Sequence, residues 1–284
     1  MKQRAGLTAA DFAAWNAAAL RMTEARTTTA IAEALVAALR VVLDFDTAFL
    51  AILRRDSAPM VPYYSGGEEP SPAYHEGPYL LDPFYNHFLA KRGEGCFRLG
   101  ELAPEGFLRS EYFSSYYRLL AIKDELGMLA SIDADTSAHV SILRHRSQIR
   151  FSKLDAAWLG ATAPVDRDAL RRMAAEAGRP GAADARKAGA LHDSLRAAYR
   201  NFGASILTER EREVVHLLLQ GNSAKAIARA LSISPDTARN HLKRIYPKLK
   251  VSSQAELFAL FFRALERVEP GFEGDPLTRL TPAR

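Results

Sequence analysis

The chain has 284 residues, with 38 Lys or Arg against 33 Asp or Glu and a single cysteine, Cys96. This length supports two domains with separate cores; one cysteine excludes an intramolecular disulfide and fits a reducing cytoplasm; no stretch approaches the ~20 apolar residues that cross a bilayer. The positive excess is local: residues 204–265 hold ten Lys or Arg against five Asp or Glu, an excess of five that equals the whole chain's.

The N-terminus, MKQRAGLTAADFAAWNAAAL, begins basic, but Asp11 and Asn16 interrupt the apolar core that a signal peptide needs. It reads as an amphipathic helix with Phe12, Trp15, Ala19 and Met22 on one face. Residues 27–42 predict a second helix, with Ile31, Leu35, Ala38, Leu39 and Val42 aligned. TAFLAILR (47–54) and PMVPYYSG (59–66) predict adjacent strands joined by a turn at Asp56 and Ser57. A loop rich in Gly, Pro and Glu follows, then a helix from about Pro83 to Lys91 with Asp82 as its cap. GCFRLG predicts a short strand in which Cys96 is a buried small hydrophobe. Residues 106–120 predict a helix, DELGMLASID and AHVSILRH a hairpin, and residues 151–177 a long helix capped by Ser152.

The middle of this region is aromatic. Tyr63, Tyr79, Phe84, Tyr85, Phe113 and Tyr117, with Asp124, are the candidate lining of a small-molecule cavity. Core packing is the competing reading of the same rings. Asp82, Asp124 and Glu125 could present negative charge to a cationic ligand.

AGRPGAADARKAGA (177–190) has the composition of a linker, and LHDSLRAAYRNF after it extends helically. Thr208 and Glu211 then form a capping box on a helix whose apolar face is Val214, Val215, Leu218 and Leu219. Gly221 ends it, and Asn222 or Ser223 caps a short helix. Ser234 and Pro235 start the next one. At about 100° per residue, Ala238, Leu242, Ile245 and Leu249 share one arc, while Thr237, Arg239, Asn240, Lys243 and Arg244 occupy the other side. A short helix, a tight turn and a capped basic helix form a helix-turn-helix. Arg239, Asn240, Lys243 and Arg244 are candidate base readers, since Arg and Asn pair bidentately with guanine and adenine edges in the major groove. Ser253 and Glu256 predict a further capping box, on a fourth helix lined by Leu257, Phe258, Phe261 and Leu265, a self-pairing surface.

Leu207-Thr208-x-x-Glu211-x-x-Val214-Val215, Gly221-Asn222-Ser223-x-Lys225-x-Ile227-Ala228-x-x-Leu231 and Ser234-x-x-Thr237-x-x-x-His241-x-x-x-Ile245-x-x-Lys248-Leu249-x-Val251 together resemble the LuxR-type (GerE- or FixJ-type) DNA-binding domain. The resemblance implies base reading at Arg239, Asn240 and Lys243, phosphate contacts near Ser223, Lys225, Ser234, Thr237 and Lys248, and dimerisation through the fourth helix. Three departures stand out. Ala238 replaces a valine. Lys250 replaces a common glycine, so the turn there either avoids positive φ or is strained. Pro247 predicts a bend or early loosening of the recognition helix. LDPFYNHF, GCFRLGEL, FLRSEYFSSYYR and KDELGML are similar to the GAF-like N-terminal domains of some LuxR-type regulators.

The expected architecture is therefore two domains: residues 1–176 an α/β, GAF/PAS-like sensing domain with an antiparallel sheet and flanking helices, and residues 204–266 an all-α four-helix helix-turn-helix. A linker (177–203) joins them and a tail (267–284) follows. The expected function is a transcriptional regulator, homodimeric on double-stranded DNA, responsive to an unidentified small molecule, with RNA polymerase a further partner that such a role allows. An acyl-homoserine-lactone sensor is an alternative, although its expected tryptophan is missing beside YLLDPFY; a first domain that only dimerises or binds a protein is another. A receiver domain is rejected because Asp44 and Asp46 follow a helix instead of a first strand, and a sigma-like factor because strands precede the helix-turn-helix. GxGxxG, Walker, GxSxG and metal-ligand spacings do not occur, so no catalysis, cofactor or metal is expected.

Overall fold

TAFLAILR alternates two sets of side chains across the pleat of a strand. In the computed structural model, Ala48, Leu50 and Ile52 enter one buried cluster, while Phe49, Ala51 and Leu53 enter another. The structure describes residues 8–66, 74, 77–118, 120–145, 149–178 and 182–280. Most of the Gly, Pro and Glu-rich loop, linker residues 179–181 and tail residues 281–284 lie outside the described residues.

The strands are β1 (Thr47–Arg54), β2 (Met60–Tyr64), β3 (Gly95–Arg98), β4 (Asp124–Ser131) and β5 (Thr136–Arg144). They form an antiparallel five-stranded sheet in the order β2-β1-β5-β4-β3. Helices α1 (Ala9–Glu24), α2 (Thr28–Val42) and α5 (Lys153–Ala177) cover one face. Capping boxes start α1 at Thr8 and α5 at Ser152, and Thr27 caps α2. The face expected on α1 is only partly used: Met22 is buried, but Phe12 is 59% exposed.

The other face carries α3 (Pro83–Leu89), started by Asp82, the short α4 (Leu99–Leu102), and the segment 107–122. That segment departs from the expected helix: a 3-10 turn at Phe107–Arg109 leads into a π-helical turn at Phe113–Tyr117, where Arg118 N–H donates to Phe113 O at 2.9 Å.

Most of the expected linker is helix. α6 (Ala182–Asn201) packs on the sheet domain through His192, which meets the Tyr79 hydroxyl at 2.8 Å and the Arg55 carbonyl at 3.1 Å. Its C-terminal half leads into four helices, α7 (Glu209–Leu219), α8 (Ala224–Ala230), α9 (Pro235–Lys248) and α10 (Gln254–Leu265). The tail folds back: the Asp275 carboxylate accepts from Gly203 N–H (3.0 Å), Ser205 N–H (2.8 Å) and the Ser205 hydroxyl (2.6 Å).

Asp166 on α5 is completely buried, and neither carboxylate oxygen has a hydrogen-bond partner. Thr162 beside it donates its hydroxyl to the Leu159 carbonyl at 3.2 Å. Burial pushes the Asp166 carboxyl up to about 7 from 3.8. The unfolded chain thus releases this proton while the folded chain keeps it, so stability falls as pH rises from about 4 to 7 and then levels off. In Asp166→Asn this loss disappears: the unfolding free energy of the variant relative to wild type rises by on the order of 2–4 kcal/mol between about pH 4 and 8, read from urea titrations at both pH values.

Candidate nucleic-acid interface and sensor cavity

The helix-turn-helix begins from local chemistry. Thr208 and Glu211 close the capping box on α7, Ser223 caps α8 by accepting from Ala226 N–H (3.2 Å), and Ser234 caps α9 by accepting from Thr237 N–H (3.0 Å). Val214, Val215, Leu218, Ile227, Ala238, Ile245 and Leu249 form its core. The opposite side of α9 is outward: Arg239, Asn240, Lys243 and Arg244 are all exposed, and Arg239 pairs with Asp236 one turn back. Lys225 and Thr237 are exposed near the starts of their helices.

Lys248 differs from its expected role. Its ammonium donates to both oxygens of Glu211, at 2.8 and 2.7 Å. Burial raises the Glu211 carboxyl, but Lys248 and the Thr208 donors outweigh that and hold it below its ordinary value. Lys248 therefore bolts the end of α9 to the start of α7. Pro247 does not loosen the helix, which runs on to Lys248 and closes with Leu249 N–H donating to the Ile245 carbonyl at 3.0 Å. Lys250 does adopt positive φ (+55°), and Val251 N–H reaches back to the Tyr246 carbonyl at 3.0 Å. A lysine thus fills a position that favours glycine, at a cost of about 1 kcal/mol.

The fourth helix is covered from within the chain. Leu257, Phe258, Phe261 and Leu265, expected to pair with a second copy, are buried within this chain. Phe261 meets Phe202 and Tyr199 of the α6 segment at 5.2 and 5.8 Å between ring centres. Phe258 meets Tyr112 of the sheet domain at 6.5 Å, and Leu265 lies against Gly77. Helical spacing identified an apolar stripe, but not what covers it. Ser253 caps α10, while Glu256 accepts from Ser252 in place of completing a box.

The two domains also meet at α8. A Cβ on Gly106 would lie 2.5 Å from the Gly221 carbonyl oxygen and 2.9 Å from Ser223 N, and Glu105 pairs with Arg229. Ser223, expected at a phosphate, sits against this sheet-domain loop.

A small cavity of about 40 Å3 opens under the second face of the sheet. Phe49, Val61, Tyr64, Tyr74, Tyr116 and Tyr117 supply much of its wall, with Asp82 and Glu125 as its carboxylates. Of the candidate lining set, Tyr117 alone lies there; of the three acids that could meet a cationic ligand, Asp82 and Glu125 do. Tyr79, Phe84 and Tyr85 are buried in the surrounding core, and Phe113 packs against it. The pleat explains two further misses. Tyr64 pairs with Phe49 on the cavity face, which turns Tyr63 to the helix side. Likewise Glu125 faces inward, whereas Asp124 accepts from Phe151 N–H at 2.7 Å. Asp82 both caps α3, accepting from Phe84 N–H at 2.7 Å, and reaches the cavity, a dual placement its LDP setting does not reveal. Both tryptophans, Trp15 and Trp158, pack on the helix side of the sheet. Among the described residues, no group of three or more His, Cys, Asp or Glu could hold a metal ion, and no helix is long and apolar enough to cross a membrane.

A capped helix-turn-helix with an outward basic helix, packed on an antiparallel sheet with its own cavity, defines a two-domain DNA-binding transcriptional regulator. Residues 205–261 match the family described as "Bacterial regulatory proteins, luxR family". Over 192 residues the chain is 30% identical to a putative HTH-type transcriptional regulator in the exeN 3' region of Aeromonas salmonicida, a match covering 65% of this chain and 94% of that protein. The chain belongs to the LuxR family of bacterial regulatory proteins. The nitrate/nitrite response regulator NarP of Escherichia coli is 44% identical over 59 residues, 21% of this chain and 27% of NarP. The sheet domain has the fold of the VqsR LBD domain from Pseudomonas aeruginosa (TM-score 0.51, 24% identity, covering 57% of this chain and 96% of that one).

Replacing Lys248 by Met leaves Glu211 with only its Thr208 donors. The expected loss is about 1–3 kcal/mol of stability, discounted for the partial exposure of the ammonium, and a thermal melt of the variant checks it.

Proposed function

We propose that the protein is a ligand-responsive regulator that reads duplex DNA with Arg239, Asn240, Lys243 and Arg244 and binds as a pair of copies. The observation that carries the reading is the outward face of α9, where these four side chains stand exposed on a helix anchored by Ser234 and by Ala238 and Ile245 beneath. Lys225, Ser234 and Thr237 are proposed as phosphate contacts, as is Ser223 once α8 has separated from Gly106. Lys248 holds the fold instead.

The sensing half of the reading is supported by a continuous aromatic path. Tyr116 and Tyr117 line the cavity, Tyr112 stacks on Tyr116 at 5.6 Å, and Tyr112 touches Phe258 of α10. A ligand that moves Tyr116 thus changes the seat of α10, and a ligand shifts an equilibrium only by such differential contact. Pairing through Leu257, Phe258, Phe261 and Leu265 requires α10 to leave that seat.

The test is selection of bound duplexes from a random pool, followed by titration of variants. Arg239→Ala is expected to lose about 1–3 kcal/mol on the selected site and relax preference at one base position, while non-specific affinity holds. Lys225→Ala is expected to weaken all sequences alike and reduce the salt slope by about one. Equal losses on specific and non-specific DNA in Arg239→Ala would remove α9 from base reading. Native mass spectrometry of the purified chain tests the sensing half, through extra mass released on gentle activation.

A further inference from the structure

Asp82 and Glu125 are two carboxylates, 5% and 2% exposed, set in one aromatic cavity. Their hydrogen-bond donors are all neutral. Asp82 accepts from the Tyr74 hydroxyl at 2.8 Å and from Phe84 N–H and Tyr85 N–H; Glu125 accepts from the Tyr117 hydroxyl at 2.7 Å and from the Ser141 hydroxyl. Among the described lining residues there is no Lys, Arg or His. Buried negative charge is costly unless a cation meets it, and none of the described lining residues supplies one. Burial and the neighbouring Asp82 push the Glu125 carboxyl up to about 8, so a bound cation competes there with a proton.

Two further observations bear on what fills the cavity. The hydroxyl of Tyr112, 1% exposed, has no hydrogen-bond partner, and it lies within electrostatic reach of both carboxylates. It is an unused polar group beside the cavity. The walls are aromatic rings, Phe49, Tyr64, Tyr74, Tyr116 and Tyr117, whose faces attract cations. Among the described residues the cavity offers two carboxylates and no third acid, histidine or cysteine, so the aromatic wall, not a ligand cage, is its distinguishing feature.

We propose that this cavity binds a small organic ammonium compound, its N–H donors on Asp82 and Glu125 and its apolar body against the aromatic wall. The proposal rests on the reading that the sheet domain senses a ligand, and it names the chemical class. A neutral ligand, an acyl amide for example, could donate one hydrogen bond but brings no positive charge to take the place of that proton.

The experiment uses the full chain and matched probes, 2-phenylethylammonium and n-pentylammonium against 2-phenylethanol and n-pentanol. Calorimetry and thermal melts follow each to a concentration of about 10 mM. The ammonium probes are expected to raise the melting midpoint and bind at least ~10-fold more tightly than the alcohols. Glu125→Gln, and Asp82→Asn, which retains a capping side chain, are each expected to erase most of that preference while alcohol binding is unchanged. Equal affinity for charged and neutral probes overturns the ammonium assignment and leaves the sensing reading intact. So does an absence of probe binding with a neutral compound retained in the native mass spectrum. No probe bound and no retained mass overturns both. The comparison on the unaltered protein decides the matter even if a variant does not fold.

Discussion

The sheet has two apolar faces, and burying the second one organises the rest of the molecule. Three long helices seal the first face into a core of aliphatic side chains. On the second face the described residues form no comparable helical layer: α3 and α4 are short, and Phe107–Arg109 and Phe113–Tyr117 are tight turns. The core there continues through Tyr79 and Tyr112 into Leu195 and Phe202, and onward to Phe258, Phe261 and Leu265 of the DNA-binding helices. Hydrophobic burial is non-directional and scales with area, so one cluster can serve two domains at once. The second face of the sheet is incomplete without the DNA-binding helices.

That shared core contains an internal contradiction. Apolar surface favours close docking, yet the cavity beside it keeps two carboxylates whose charge has no protein counterpart among the described lining residues. A site that is well packed on one side and electrostatically unsatisfied on the other is adjustable, and the aromatic stack between Tyr116, Tyr112 and Phe258 places that adjustable element next to α10.

Much of this was legible in the sequence. The capping pair Thr208 with Glu211, the cap Ser152, and Ser234 before Pro235 mark their helix starts correctly because caps are local chemistry. Strand β1 was readable in full, since alternation is also local. The cavity was less legible. Composition finds aromatic residues but cannot say which of two neighbours, Tyr63 or Tyr64, Asp124 or Glu125, faces inward; that is set by register, a long-range property. Nor could helical spacing tell that the stripe on α10 meets Tyr112 instead of another copy. An apolar face announces that it will be covered, not by what. Linker composition misled for the opposite reason: Gly and Pro near 178–181 signalled a break, but the helix after it, held by His192 and Tyr199, is a spine between domains.

Gly106 gives the junction a particular character. Its approach to the Gly221 carbonyl and Ser223 N is a main-chain fit, with no side chain at the point of closest contact. Such a surface has nothing to titrate and little for salt to screen, in contrast to the neighbouring Glu105–Arg229 pair. Ionic conditions can loosen the rim of the junction but not its centre. Parting the two domains there is a matter of shape, because the loop that carries Gly106 runs straight on to Tyr112, Tyr116 and Tyr117.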